Sequence, residues 1–135
     1  MSVSFTGSRN GLTPEQKSTL EKFLELFTEH DVFYHNDGEG ADKEFHNICV
    51  KKRFSVVVHD GDADVGAMAR NRSLVQHCKY LIGCPPTDFI IKKGSGTWET
   101  LKYGWKYGKR VIIIQPNGML AWCDTKELYK EFLNK

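Results

Sequence analysis

Residues 92–116 read KKGSGTWETLKYGWKYGKRVIIIQP, which joins a glycine-rich loop, a helical pattern and an apolar run. Trp98, Leu101 and Trp105 recur at helical spacing, and residues 111–114 are uninterrupted in their hydrophobicity. Apolar runs of this kind are typical of strands in a parallel sheet whose two faces are covered by helices. The stretch therefore predicts a loop–helix–strand unit of an α/β domain.

The rest of the chain repeats this alternation. Four more short apolar runs, each followed by a polar loop and a helical pattern, occupy residues 3–5, 31–35, 55–58 and 80–83. Thr13 and Gln16 have the spacing of a capping box that begins the first helix, with Pro14 at the first helical position. We predict one doubly wound, Rossmann-like domain over residues 1–135, with a mostly parallel sheet of about five strands and helices on both faces.

Composition limits the classes of function. The formal charge of +2 shows no concentrated basic character that would by itself indicate a nucleic-acid partner. No apolar stretch approaches the length of a membrane span, and the first ten residues lack the pattern of a signal peptide. The four cysteines have no CxxC spacing. We expect a cytoplasmic protein with free thiols, no membrane partner and no cofactor.

Polar segments follow the predicted strands. The first strand ends in Thr6-Gly7-Ser8-Arg9, the second is followed by residues 37–42, and the third by residues 60–64. Because ligands of open parallel sheets bind beyond the carboxyl ends of the strands, these segments are expected to converge at one edge.

Gly94-Ser95-Gly96-Thr97 completes that edge and admits two interpretations. Its glycines allow close backbone approach, its hydroxyls can donate, and free N–H groups at the following helix attract an anion. It is no Walker A loop, because the lysine of that motif is missing. A plain loop and helix cap is the alternative, but the first loop beyond the same sheet edge favours phosphate binding.

Carboxylates are plentiful at this edge. Asp60 and Asp62 follow the third strand two residues apart, and we select them as the candidate catalytic groups for cleavage of a glycosidic bond. Asp42, close to a predicted helix start, is interpreted as a cap of a helix or turn, with ligand contact as the alternative. His35 and His59 have no HxH or HExxH spacing, so we expect hydrogen-bonding histidines and no metal site.

The ordered set of Thr6-Gly7-Ser8-Arg9, Gly38-Glu39-Gly40-Ala41-Asp42, Arg70-Asn71-Arg72 and Gly94-Ser95-Gly96-Thr97 resembles a known superfamily. It is similar to the small single-domain members of the Rossmann-like superfamily that includes the Lonely Guy phosphoribohydrolases and DNA-processing protein A. The resemblance spans roughly residues 3–116.

The resemblance implies a nucleotide or nucleotide-derived ligand. It assigns Gly7, Ser8 and Arg9 to the first binding loop and Arg70 to the ribose phosphate. Gly94, Gly96 and Thr97 match the phosphate loop, to which Ser95 also belongs.

The match has departures. Hydrolytic members read Pro-Gly-Gly-x-Gly-Thr-x-x-Glu, whereas Lys92 and Lys93 stand at the first two positions and Thr100 at the catalytic glutamate. Glu99 is about 100° away around the helix and does not substitute. We therefore expect a sensor or binding module, with a nucleoside 5′-monophosphate N-glycosidase as the alternative.

A third, weaker alternative is single-stranded nucleic-acid binding through a helix face that carries Lys102, Lys106 and Lys109 beside Tyr103 and Tyr107. A solvated face or a subunit interface explains the same residues, and a homodimer or higher homo-oligomer is left open.

Overall fold

The computed structural model of the chain describes residues 1–59, 66–88 and 96–135. In these ranges strands and helices alternate. The strands are β1 (Ser2–Gly7), β2 (Val32–His35), β3 (Ser55–Val58), β4 (Tyr80–Cys84), β5 (Arg110–Ile114) and β6 (Leu120–Cys123). The helices are α1 (Pro14–Leu24), α2 (Ala41–Lys51), α3 (Ala67–Gln76), α4 (Gly96–Lys106) and α5 (Lys126–Leu133).

The strands form one sheet in the order β3-β2-β1-β4-β5-β6. The five strands from β1 to β5 are mutually parallel, which confirms the predicted Rossmann-like α/β class. The sixth strand, β6, pairs antiparallel with β5 and was missed in the sequence. Its four residues, LAWC, show no alternation of apolar and polar residues that would mark a strand in the sequence. Burial does not alternate either, because Ala121 and Trp122 are both exposed.

The hydrophobic core has two layers, one on each face of the sheet. Alternate residues of β4 and β5 serve opposite layers: Ile82 and Ile112 face the layer that contains α1 and α2, whereas Leu81 faces the layer that contains α3 and α4. Both strands are almost wholly buried. The prediction that apolar strands are covered on both faces is confirmed for these central strands.

At the sheet edge, β3 departs from that expectation. Val57 and Val58 keep 44% and 38% of their surface exposed, although the strand is as apolar as β5. Among the described strands, β3 pairs with β2 alone. Apolar sequence therefore identified the strand but not its place in the sheet.

The capping box predicted at the start of α1 is confirmed, and its glutamine reaches further than the helix. Thr13 Oγ1 accepts from the Gln16 N–H at 3.0 Å, and Gln16 Oε1 accepts from the Thr13 N–H at 3.1 Å. The Gln16 amide also donates to the carbonyls of Pro85, at 2.8 Å, and Ile114, at 3.1 Å. One buried side chain thus ties α1 to the loop after β4 and to the end of β5.

None of the described helices has the length and hydrophobicity that a bilayer span requires.

Glycine is required where α4 lies on β4. A Cβ added to Gly83 would approach Leu101 Cδ2 to 2.5 Å, and Leu101 is fully buried. We predict that Gly83→Ala lowers the free energy of unfolding by about 1–3 kcal/mol, because the core must shift to admit the methyl group. Urea denaturation measures this.

Leu101→Ala supplies the control, since it removes the opposing atoms. The double variant should lose less stability than the sum of the two single variants. Additive losses would contradict a direct clash between these two side chains.

Candidate functional site

A cleft of about 630 Å³ opens at the carboxyl ends of the parallel strands. It lies beyond β1 and β4, the neighbouring strands at which the strand order reverses. Such a switch point is the general ligand position in open α/β sheets, because connections leaving two adjacent strands diverge and leave a crevice between them. Its volume falls in the range of pockets for small molecules.

The loop after β1 forms the floor of the cleft. Its centre is Ser8, whose carbonyl accepts from the N–H groups of Gly11, at 3.1 Å, and Ala41, at 3.0 Å. Ser8 Oγ accepts from the Asn10 N–H at 3.1 Å, so its hydroxyl hydrogen remains available to a ligand. Arg9 is exposed at the lip and forms no ion pair with any described residue.

Two glycines let this loop touch the start of α2. A Cβ on Gly7 would lie 2.5 Å from the Ala41 Cβ. Gly40 has a φ of 73°, and a Cβ added there would collide with the Arg9 carbonyl. A side chain at either position would separate β1 from α2. The glycines at these positions therefore bring the first loop and the helix start against each other.

The N-terminus of α4 borders the cleft beyond β4. Gly96 and Thr97 line it, and Thr97 is 5% exposed. The first N–H groups of a helix have no partner within the helix and carry a partial positive charge, so this end of the cleft favours an anion. The first residue also leaves room, because a Cβ added to Gly96 would meet none of the described atoms within 4 Å.

The two residues near the position of the expected glutamate do not reach the cleft. Thr100 is fully buried and its hydroxyl donates to the Gly96 carbonyl at 2.7 Å. The Glu99 carboxylate pairs with Lys102 at 3.2 Å. Neither side chain is among those that line the cleft.

Across β1 from α4, the wall of the cleft is built around Asn36, which follows β2. Arg70 Nη2 donates to the Asn36 carbonyl at 2.8 Å, and Asn36 Nδ2 donates to Asn71 Oδ1 at 2.9 Å. Arg70 Nε and Asn36 Oδ1 are buried without a hydrogen-bond partner among the described residues. Turning both amides over exchanges their roles but still leaves one buried polar atom of Asn36 unpaired.

Asp42, in the first turn of α2, lines the same wall and is 7% exposed. Its Oδ2 accepts from the Gly38 N–H at 2.9 Å. The N-cap of α2 is Gly40, so Asp42 does not cap the helix; its carboxylate instead accepts from the turn ahead of the helix. Burial raises the pKa of Asp42 to about 6, with Asp37 contributing and the backbone bonds and Arg70 opposing.

Behind this wall, a histidine pair supports the loop. The Asp37 N–H donates to His35 Nδ1 at 3.0 Å, so the His35 proton lies on Nε2, which contacts His46 Nδ1 at 2.8 Å. Burial, followed by the neighbouring His46, lowers the pKa of His35 to about 4. His59 contacts the Ser73 hydroxyl at 3.0 Å. Within residues 1–59, 66–88 and 96–135, no three metal-binding side chains cluster.

Seven of the sequence-predicted site residues lie together in this cleft. They are Thr6, Gly7, Ser8, Arg9, Arg70, Gly96 and Thr97. Asp60, Asp62, Gly94 and Ser95 lie outside the described residues. The sequence did not single out Asn36 or Pro86 for the site, although each follows a strand that ends at the cleft.

The buried carboxylate yields a stability prediction. A raised folded-state pKa means that the native protein binds the Asp42 proton more tightly than the unfolded chain, so the charged form destabilises the fold above pH 6. We predict that Asp42→Asn raises the free energy of unfolding at pH 8 by up to about 3 kcal/mol. The gain should shrink below pH 6 and nearly vanish at pH 3.

Chemical denaturation across this pH range tests the prediction. Glu127→Gln, which removes an exposed carboxylate at the first turn of α5, serves as the control and should show no such pH dependence. A loss of stability in Asp42→Asn at pH 8 would show that the hydrogen bond to Gly38 outweighs the cost of burying the charge.

No family model and no curated protein sequence matches this chain.

Proposed function

We propose that the protein binds a phosphate-bearing nucleotide or nucleotide-derived ligand in this cleft as a sensor or binding module. The observation that carries the proposal is the convergence of the Ser8 loop and the α4 N-terminus on one cleft of nucleotide size. Backbone N–H groups at a helix start and arginine side chains hold phosphate in many unrelated proteins. This cleft offers both, at the start of α4 and in Arg9. The resemblance to the Lonely Guy superfamily agrees with this ligand class.

The phosphate belongs at the α4 side of the cleft. There the start of α4 supplies free N–H groups with a partial positive charge. Ser8 and Arg9, which line the same cleft, carry further donors. On the β2 side the Asp42 carboxylate would repel a phosphate. Arg70 donates a hydrogen bond to the Asn36 carbonyl on that side. It therefore holds the wall of the cleft in addition to its proposed contact with the ligand.

Binding without cleavage is the interpretation that the described groups support better. The glutamate of the hydrolytic motif is replaced by Thr100, which faces its own helix, and Glu99 is paired with Lys102. The alternative, an N-glycosidase, depends on Asp60 or Asp62, outside the described residues.

Single-stranded nucleic-acid binding has weaker support. The rings of Tyr103 and Tyr107 pack 6.3 Å apart, and each already has a cation against it: Arg72 at 5.8 Å and Lys106 at 5.9 Å. These contacts explain the aromatic residues among the lysines as stabilisation of the α4 surface.

The nucleotide proposal predicts a selective loss of binding. Gly96→Val adds a branched side chain in space free of described atoms, and Arg9→Ala removes an exposed cation, so both should fold normally. Each should weaken nucleoside monophosphate binding at least tenfold, or about 1.4 kcal/mol, in titration calorimetry.

The control for this experiment is the triple change of Lys102, Lys106 and Lys109 to Gln. It should keep nucleotide affinity within about threefold, or ~0.65 kcal/mol. Unchanged affinity in both cleft variants would refute the site. Oligonucleotide binding that falls steeply with salt and disappears in the triple variant would favour the α4 face instead.

A product assay separates the two nucleotide functions. After incubation with the protein, nucleoside monophosphates should be recovered intact, with no more free base than in a protein-free control, as measured by chromatography. Release of free base that is lost in Asp60→Asn or Asp62→Asn would establish the glycosidase, since a positioned acid or base contributes about 10²-fold or more.

A further inference from the structure

The two ends of the cleft differ in hydrogen-bonding chemistry. At the α4 end the available groups are donors, suited to an anion. At the β2 end an ionised carboxylate, which only accepts, lies on the same wall as a guanidinium, which only donates. A ligand group at that end must therefore both donate and accept hydrogen bonds.

Two buried polar atoms at the β2 end support the same conclusion about the ligand group. Within the part of the chain that the structure describes, Arg70 Nε and one polar atom of the Asn36 amide have no hydrogen-bond partner. A buried polar atom left unpaired costs about 1–3 kcal/mol, so a ligand group that pairs with these two atoms would relieve that cost. Both atoms are covered in the free protein, so these side chains must move to contact a ligand.

The geometry of the sheet limits what this partner is. The strands that flank β1, namely β2 and β4, lie about 10 Å apart, because neighbouring strands are spaced by about 4.8 Å. A phosphate at the α4 side thus leaves the group attached next to it within reach of Asp42. In a nucleotide that group is the pentose, and a carboxylate is a common partner of ribose hydroxyls in dinucleotide-binding folds.

We infer that Asp42, Asn36 and Arg70 form a subsite for the adjacent hydroxyl pair of a ribose, so that the protein selects ribonucleotides over 2′-deoxyribonucleotides. This inference rests on the proposed function. One carboxylate oxygen is occupied by the Gly38 N–H, and the carboxylate retains acceptor capacity for a hydroxyl. A 2′-deoxy ligand would leave a buried acceptor unpaired on binding, which is the strongest form of discrimination against a missing hydroxyl.

The test compares matched ligands on the full chain by titration calorimetry at pH 7.5. The probes are adenosine, guanosine and cytidine 5′-monophosphates, each paired with its 2′-deoxy counterpart. For the pair that binds most tightly, the ribonucleotide should bind at least tenfold more tightly than the deoxynucleotide. In Asp42→Asn this ratio should fall to about threefold or less, because the ribonucleotide loses its carboxylate partner.

Glu127→Gln is the charge-matched control and should preserve the ratio. If Asp42→Asn does not unfold cooperatively, Asn71→Ala replaces it, because this change leaves the Asn36 amide without the hydrogen bond that orients it in the subsite. That variant should also lower the ratio.

Two failures are distinguishable. Equal affinity of the unmodified protein for both members of a pair, or an undiminished ratio in the variant, overturns the ribose subsite and leaves nucleotide binding intact. Absence of binding by all six nucleotides overturns the proposed function and this inference together. Discrimination between bases without discrimination between sugars would assign the β2 wall to the base.

Discussion

The site depends on one carbonyl group, that of Ser8. It accepts hydrogen bonds from Gly11, which closes the loop after β1, and from Ala41, which begins α2. A carbonyl oxygen has two lone pairs, and both are used here to join segments 33 residues apart in the chain. Without this junction the first loop would have no fixed position relative to the wall that carries Asp42. The glycines at positions 7 and 40 matter because they let the junction close.

Much of this fold could be predicted from the sequence, because its signals are local. The apolar runs identified the five parallel strands, and Thr13 with Gln16 identified the start of α1. The strand β6 was not predicted, because it is stabilised by pairing with β5 and its sequence has no alternating pattern. Its central residues, Ala121 and Trp122, are exposed. A strand defined by its partner rather than by its own burial gives little local signal.

The residues of the candidate site also separate into those that local sequence motifs predicted and those that depend on contacts in the folded chain. Glycine and arginine motifs predicted the first loop, Arg70 and the start of α4, since each follows a strand end. The place of Asn36 in the site was not predictable, because it depends on a contact with Arg70, 34 residues away. The raised pKa of Asp42 was not predictable either, because it depends on the burial of the carboxylate. The raised pKa of Asp42 is a property of the folded environment, so no motif contains it.

The Gln16 side chain has a consequence for how the cleft works. It fixes the Pro85 carbonyl, and the next residue, Pro86, lines the cleft. This part of the cleft is therefore ordered when the core forms, and the loss of conformational entropy falls on folding rather than on association. A ligand that meets a wall already in position loses less of its interaction energy to ordering the protein. The start of α1, which does not line the cleft, thus preorganises the cleft for the ligand that we propose.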